Sequence, residues 1–397
     1  MHTRFADHVD VLQRGELEAI LRACVHCGFC NATCPTYQLL GDELDGPRGR
    51  IYLIKQVLEG QPATRLTQTH LDRCLTCRAC ETTCPSGVRY GYLLDAGRSI
   101  VERQAGRAFF DRLKRYVIIR VFPYRNRFSV LLEIARRLRP LLPSYFSNKI
   151  PPATPQALWP AAQHARKMLI LPGCVQPALA PTIDLTAANV LDRLGISLLQ
   201  VKSGACCGAL PYHLSAHERA LDLARKNIDA CDPYLRQGIE TIVSTASGCG
   251  LMAKDYGRLL NNDPAYAEKA ARFSAAVKDI AEVLAGEDLS SFQAGSQRIA
   301  FQSPCTLQHG QRLKGLPEAI LQKIGYRLTP VVDAHLCCGS AGMYSLLQPG
   351  LAVKLRDSKL QALQAGHPDI IATANIGCLI HLQSSSRQKV SHWIELL

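Results

Sequence analysis

Residues 24–35 read CVHCGFCNATCP: four cysteines in eleven residues, with a proline directly after the fourth. The same spacing, C-x2-C-x2-C-x3-C-P, returns at residues 74–85 as CLTCRACETTCP. Disulfides are the first reading to weigh, since the chain holds 17 cysteines, an odd number. Disulfide scaffolds, however, belong mainly to short secreted domains. This chain has 397 residues, and its start, MHTRFADHVDVLQRGELEAI, lacks the basic segment and apolar run of a secretory leader. No stretch approaches the roughly 18 apolar residues of a membrane-spanning helix; the best, YVIIRVF, is interrupted by Arg120. These features predict a cytoplasmic protein whose thiols are free to hold metal. With 47% hydrophobic and 20% charged residues, the composition is that of a globular protein of two or three domains.

The spacing then selects the metal. Thiols at i, i+3 and i+6 on a wrapped loop reach three corners of an iron–sulfur cube. A fourth, where the chain turns away at proline, reaches the neighbouring cube, as in two-cluster bacterial ferredoxins. On that pattern one [4Fe–4S] cluster takes Cys24, Cys27, Cys30 and Cys84, and the other takes Cys74, Cys77, Cys80 and Cys34. Each run would complete the other's site, which explains why the motif occurs twice. Zinc is the competing metal, but structural zinc sites usually pair two C-x2-C knuckles, four ligands in all. Pro35 and Pro85 serve either reading as turn residues.

Outward from the two runs, the chain divides into expected domains. Residues 1–100 read as a mainly helical ferredoxin-like domain, with one helix predicted within GPRGRIYLIKQVLEG (46–60), started by Pro47 and stopped by Gly60. Residues 101–165 read as a basic helical linker ending in the proline-rich SNKIPPATPQALWP. Residues 166–290 and 291–397 then form an internal repeat. KMLILPGC ends at Cys174 and RIAFQSPC at Cys305; each cysteine is followed by 31 residues and then CCG, at Cys206–Gly208 and Cys337–Gly339. Helix-like segments stop at Gly195 and Gly325, and β-like runs end at Cys249 and Cys378. The fold class is thus α+β and multi-domain, a helical 2[4Fe–4S] domain followed by two repeated α/β cysteine-rich domains. Each repeat offers four thiols, Cys174, Cys206, Cys207 and Cys249 in one and Cys305, Cys337, Cys338 and Cys378 in the other, as a further cluster or redox site. Cysteines beyond strand ends suit the carboxyl edge, where open α/β sheets bind ligands. Buried structural thiols are the alternative, and Cys231, outside both sets, is read that way.

The net charge of +13 is uneven: residues 101–150 hold twelve Lys/Arg against Glu102, Asp111 and Glu133. Interleaved with Phe109, Phe110, Tyr116, Ile118, Ile119 and Phe122, the charges suit a membrane surface or partner subunit. A solvated helical surface is the plainer reading, and no nucleic-acid-binding motif accompanies the charge. His213 and His217, four apart, lack the H-E-x-x-H pattern, so an exposed or capping role is expected; His381 could be a ligand or an ordinary polar residue. Arg48 and Arg50 either start the helix or stand near a cluster, where positive charge favours reduction. There is no G-x-G-x-x-G after a strand, no P-loop and no G-x-S-x-G. No catalytic residue and no flavin, NAD or ATP site is therefore expected on this chain. Substrate chemistry would fall to a flavin on another polypeptide.

Over essentially its full length the chain resembles the iron–sulfur subunits of bacterial glycolate oxidase (glycolate dehydrogenase). The resemblance rests on RACVHCGFCNATCPTYQLLGDELDGPRGRIYLIKQVLEG (22–60), HLDRCLTCRACETTCPSGVRY (70–90), TASGCG (245–250), CTLQHGQ (305–311), HLCCGSAGMY (335–344) and TANIGC (373–378). It implies a subunit inactive by itself. Flavoprotein subunits would oxidise glycolate to glyoxylate, and this chain would pass electrons toward a membrane quinone, peripheral on the cytoplasmic face of the inner membrane. The repeats are also similar to those of heterodisulfide reductases, lactate-utilisation proteins and anaerobic glycerol-3-phosphate dehydrogenase. A related D-lactate or glycerol-3-phosphate dehydrogenase subunit, or disulfide-reducing chemistry, is the alternative. The wider repeat pattern ends in C-x-x-C, whereas here CGLM and CLIH put Met252 and His381 in the last place. That departure weighs against disulfide-reductase chemistry.

Overall fold

The internal repeat reappears as two sheets of identical topology in a computed structural model that describes residues 3–6, 11–153, 158–201 and 203–397. Strands β1 (Arg166–Ile170), β2 (Ile196–Gln200), β3 (Ile242–Ser244) and β4 (Val277–Asp279) lie in the order β2-β1-β3-β4. Strands β5 (Arg298–Gln302), β6 (Arg327–Leu328), β7 (Ile370–Thr373) and β8 (Lys389–His392) lie in the order β6-β5-β7-β8. Every pairing is parallel. The central strands read as apolar runs, Met168–Leu171 and Ile299–Phe301, and are buried, as strands covered on both faces must be. The helices Thr182–Arg193 and Leu316–Lys323 stop before Gly195 and Gly325, whose φ of +74° and +107° turn the chain back into β2 and β6. In both sheets the strand order reverses between β1 and β3, or β5 and β7, which opens a crevice at the carboxyl edge.

The chain forms two compact bodies, one taking in Met1–Tyr116 and His335–Lys359, the other Val117–Ala334 and Leu360–Leu397. Residues His335–Lys359 of the connection from β6 to β7, which include Cys337, Cys338 and Gly339, thus belong to the first body. The first body is helical. Helices Val11–Ala23, Pro47–Leu58, Arg65–Asp72 and Tyr90–Ala105 supply its core, with Leu17, Leu21, Ile54, Leu58, Leu71, Leu93 and Leu94 buried. The predicted helix within 46–60 is present, with Pro47 in its first turn and Gly60 at φ +99° beyond its end. Gly97 lets the helix Tyr90–Ala105 press onto it, since a Cβ there would stand 2.7 Å from Ile54.

In the second body the two sheets are joined by polar contacts. The Ser247 hydroxyl is 2.7 Å from that of Thr306 and accepts from Asn375 Nδ2 at 3.0 Å, while Gln311 Nε2 donates to Ser247 O at 2.9 Å. His392, fully buried at the end of β8, donates from Nε2 to Thr245 O at 2.9 Å and accepts Ile394 N–H on Nδ1 at 3.3 Å. Both ring nitrogens are used by the neutral imidazole, and burial pushes its pKa down from 6.5 to about 4. The unfolded chain takes up this proton near pH 6.5 and the folded chain only near 4. The stability supplied here is intact above pH 6.5 and is lost as pH falls through 4, about 3 kcal/mol in all. A His392→Gln variant is expected to flatten the decline of the urea midpoint across that interval, read by fluorescence of the buried Trp393. An unchanged slope would assign the acid sensitivity elsewhere.

The basic stretch forms helices Phe109–Val121 and Arg125–Arg137. Phe109, Phe110, Leu113, Tyr116 and Val117 are exposed on the first, and Val130, Leu131 and Ile134 on the second. Residues 154–157 of the proline-rich stretch lie outside the described residues. Among the described residues no helix is long and apolar enough to cross a membrane.

Candidate metal centre

Each C-x2-C-x2-C run is a loop that turns through left-handed residues between its cysteines. In the first these are His26 (φ +57°) and Gly28 (φ +85°); in the second they are Thr76 (φ +54°) and Arg78 (φ +60°). A backbone that repeatedly enters this region curls and points successive thiols to one side. Short helices, Phe29–Ala32 and Ala79–Thr83, follow, and the chain becomes extended at Cys34 (ψ +115°) and Cys84 (ψ +115°), each directly before its proline. At Gly28 a Cβ would stand 2.6 Å from Arg48 Nη1, so the glycine makes room for a guanidinium that reaches His26 O (3.4 Å) and pairs with Glu43 (2.6 Å).

Folded this way, the runs exchange their fourth thiols. Cys30 neighbours Cys24, Cys27 and Cys84, whereas Cys80 neighbours Cys77, Cys74 and Cys34. A cleft beside the first set is lined by Cys24, Cys27, Cys30 and Cys84, and by Cys80 of the second. Burial pushes the Cys30 thiol up to about 11, raises Cys24, and raises Cys80 well above its usual value. Among the described residues no disulfide joins any of the 17 cysteines. Thiols gathered in fours and wholly or partly withdrawn from water resist ionisation until a cation compensates the charge, and this donor set fits a metal–sulfur group. The first set is the more open: Cys27 is exposed, and Val25 and Phe29 beside it are 69% and 61% exposed. Cys34, Cys74, Cys77 and Cys80 are all buried.

The second set is backed by a polar network. Cys34 Sγ lies 3.3 Å from Thr36 Oγ1 and 3.7 Å from Asp45 O. The fully buried Asp45 carboxylate meets Arg50 Nη2 at 3.3 Å, His70 Nδ1 at 3.1 Å and Arg73 Nη1 at 2.7 Å. Arg50, also buried, donates further to His70 O (2.7 Å) and Thr36 Oγ1 (3.1 Å). Tyr90 Oη donates to Cys74 Sγ at 3.6 Å, and Arg98 donates to the carbonyls of Cys74 (2.7 Å) and Leu71 (2.8 Å). Of the two arginines weighed above, Arg50 stands behind the second thiol set and Arg48 clamps the loop of the first. Asp45, His70 and Arg98 were not legible as site residues, because ordinary polar residues so far apart along the chain give no spacing signal.

In the first repeat, Cys174 follows β1, Cys206 and Cys207 follow β2, and Cys249 lies in the first turn of the helix Ser247–Lys254 after β3. These four gather at the carboxyl edge. Cys206 hydrogen-bonds with Cys174 and Cys207, and Cys207 with Cys249. Those shared bonds, with burial, push Cys206 and Cys249 up; Cys207, flanked by both, is pulled down. Gly208 (φ +84°) makes the turn, and a Cβ there would stand 2.9 Å from Ala220 O. In the second repeat Cys305 follows β5 and Cys378 lies in the first turn of the helix Ile376–Gln383 after β7. Cys337 and Cys338 are buried in the β6–β7 connection, where Gly339 (φ +85°) approaches Ala352 O as Gly208 approaches Ala220. Cys249 and Cys378 thus open helices rather than end strands.

His213 closes the helix Ala209–His213 and His217 opens His217–Arg236, with Ser215 at φ +62° between them, so they do not share one helix face. His217 stacks on Tyr212, and His213 is among the groups that lower the Cys207 thiol. His381 and Met252 are each buried one turn beyond the last cysteine of their repeat. Cys231 packs in the first repeat's apolar core, where burial pushes its thiol up to about 12.

Comparison with known proteins places these features. Residues 20–88 match the 4Fe-4S dicluster domain, and residues 168–254 and 299–383 each match the cysteine-rich domain. The chain is 54% identical to the glycolate oxidase iron-sulfur subunit of Escherichia coli (strain K12), over 96% of this chain and 94% of that one. It is 30% identical to the probable glycolate oxidase iron-sulfur subunit of Bacillus subtilis (strain 168), over 92% and 89%. Lactate utilization protein A of an Exiguobacterium species is 22% identical over 56% of this chain and 94% of its own. The crystal structure of a hypothetical protein from Helicobacter pylori shares the fold, with a TM-score of 0.55 and 11% identity over 98% of this chain and 72% of that one. The dicluster match spans both cysteine runs and the identity to glycolate oxidase subunits spans all parts of the chain, so this is an iron–sulfur protein that belongs to the glycolate oxidase iron–sulfur subunit family.

Proposed function

We propose that this chain holds two [4Fe–4S] clusters, on Cys24, Cys27, Cys30 and Cys84 and on Cys34, Cys74, Cys77 and Cys80. It would serve as the electron-transfer subunit of a glycolate-oxidising complex. The observation that carries the reading is the exchange of fourth thiols between the two runs, each set drawing three from one and one from the other. Such groups, when bound, accept and release one electron at a time. The chain's own residues exclude water from the second set, cap its loop carbonyls through Arg98, and leave the first set open to a partner. Glycolate oxidation to glyoxylate belongs, in this reading, to flavoprotein subunits, with a membrane quinone as the final acceptor and no flavin or NAD on this chain. Cys174, Cys206, Cys207 and Cys249 form a third four-thiol site able to hold a further cluster. The exposed aromatic and aliphatic faces of the helices Phe109–Val121 and Arg125–Arg137, set among arginines, suit the anionic cytoplasmic surface of the inner membrane.

Anaerobically purified protein is expected to contain iron and sulfide and to oxidise no glycolate until flavoprotein subunits are added. About eight irons per chain means the eight N-terminal cysteines alone are loaded, and clearly more means that the repeats are too. Glycolate oxidation by this polypeptide alone, or zinc in place of iron, would sink the reading. In the same preparation, sedimentation with anionic vesicles at low salt, absent with neutral ones, tests the membrane face.

A further inference from the structure

The β6–β7 connection of the second repeat folds into the body that carries the two four-thiol sets. It brings Tyr344, at the end of HLCCGSAGMY, which is 7% exposed. The neighbours that bear on its hydroxyl are Cys74, Arg50, Cys337 and Arg98. Its Oη has no hydrogen-bond partner. A buried hydroxyl left without a partner costs about 1–3 kcal/mol, so one found beside a thiol site calls for an acceptor there. Tyr90, on the same thiol, shows the kind of bond at issue, with its Oη donating to Cys74 Sγ at 3.6 Å. Arg50 and Arg98 on this side present only donors, so among these neighbours the acceptor is sulfur, and Cys74 is the one whose sulfur already takes a tyrosine hydroxyl.

We propose that Tyr344 is a positioning residue for the Cys34, Cys74, Cys77 and Cys80 site, its hydroxyl donating to a sulfur of the group held there, so that the CCG connection of the second repeat forms part of that site's wall. The proposal rests on the cluster reading above. Reduction adds negative charge to the group, and a donor aimed at sulfur stabilises the reduced form more than the oxidised one. Burial makes the effect larger than it would be in water.

The test is an EPR-monitored redox titration of the anaerobic full-length protein and its Tyr344→Phe variant, which keeps the ring and removes only the hydroxyl. The two signals are assigned beforehand by their loss in Cys77→Ala and Cys27→Ala. At a fixed potential the reduced-to-oxidised ratio of the signal lost in Cys77→Ala is expected to fall about five- to tenfold, the worth of one hydrogen bond, with the other unchanged. A ratio that moves less than twofold, or a shift shared equally by both signals, overturns the proposal. Electron–nuclear double resonance gives a second readout: an exchangeable proton coupled to that signal is expected in the parent and absent in Tyr344→Phe, and its persistence also overturns the proposal. Iron and sulfide contents measured first separate this outcome from failure of the cluster reading, in which no such signals form at all.

Discussion

Replacing Cys34 by alanine is expected to empty the site built by the other cysteine run. Iron should fall from about eight to about four per chain, and the surviving EPR signal should match that of Cys77→Ala and differ from that of Cys27→Ala. Cys34 belongs by sequence to the run that begins at Cys24, and proximity along the chain alone would assign it there. The fold decides otherwise. The extended backbone at Cys34 and the proline after it carry the thiol away from its own loop, toward Cys80, against the carbonyl of Asp45. Cys84 behaves symmetrically, neighbouring Cys24 and Cys30. Cys84→Ala should therefore reproduce the Cys27→Ala spectrum. If Cys34→Ala instead removes the Cys27 signal, the exchanged assignment is wrong.

The second large effect is expected at Arg50. Arg50→Met keeps much of the volume but leaves the fully buried Asp45 with one fewer cation, and it strips donors from His70 O and Thr36 Oγ1. Breaking a buried pair from one side typically costs about 3–5 kcal/mol, far more than losing an exposed one. The lower figure is expected, because Arg73 and His70 still reach the carboxylate. Asp45→Asn combined with Arg50→Met should cost clearly less than the sum of the two single changes, since the double variant strands no fully buried charge and Arg73 can turn to solvent. Urea unfolding of the full chain, followed by circular dichroism, measures all three. A loss below about 1 kcal/mol for Arg50→Met would mean that the pair adds little and that water enters the site.

These two residues show where reading the sequence succeeds and where it stops. The expected helix starting at Pro47 is present, and Arg50 could be placed one turn inside it. Whether that side chain faces solvent or a thiol site depends on His70, Asp45 and Thr36, brought together by the packing of three separate segments. Likewise, the equal 31-residue gaps made the two repeats legible, and both sheets share one strand order. No periodicity could show that the connection bearing Cys337 and Cys338 folds with the helical body while the strands on either side of it do not. Tyr344 was visible only as the last letter of HLCCGSAGMY, with nothing to mark its hydroxyl as unpartnered.

The metal class, the doubled cysteine run and the duplicated α/β domains could all be read along the chain. Each of these is written in local spacing: thiols three apart, glycines at turns, apolar runs between them. Tertiary structure alone decided how the parts meet. It gathered the four thiols of the first repeat at one sheet edge, placed Arg50 and Asp45 behind Cys34, set His392 between the sheets and left Tyr344 beside Cys74. The reason is physical: spacing constrains neighbours along the chain within a turn or two, whereas burial and charge pairing couple residues that the chain separates by tens or hundreds of positions.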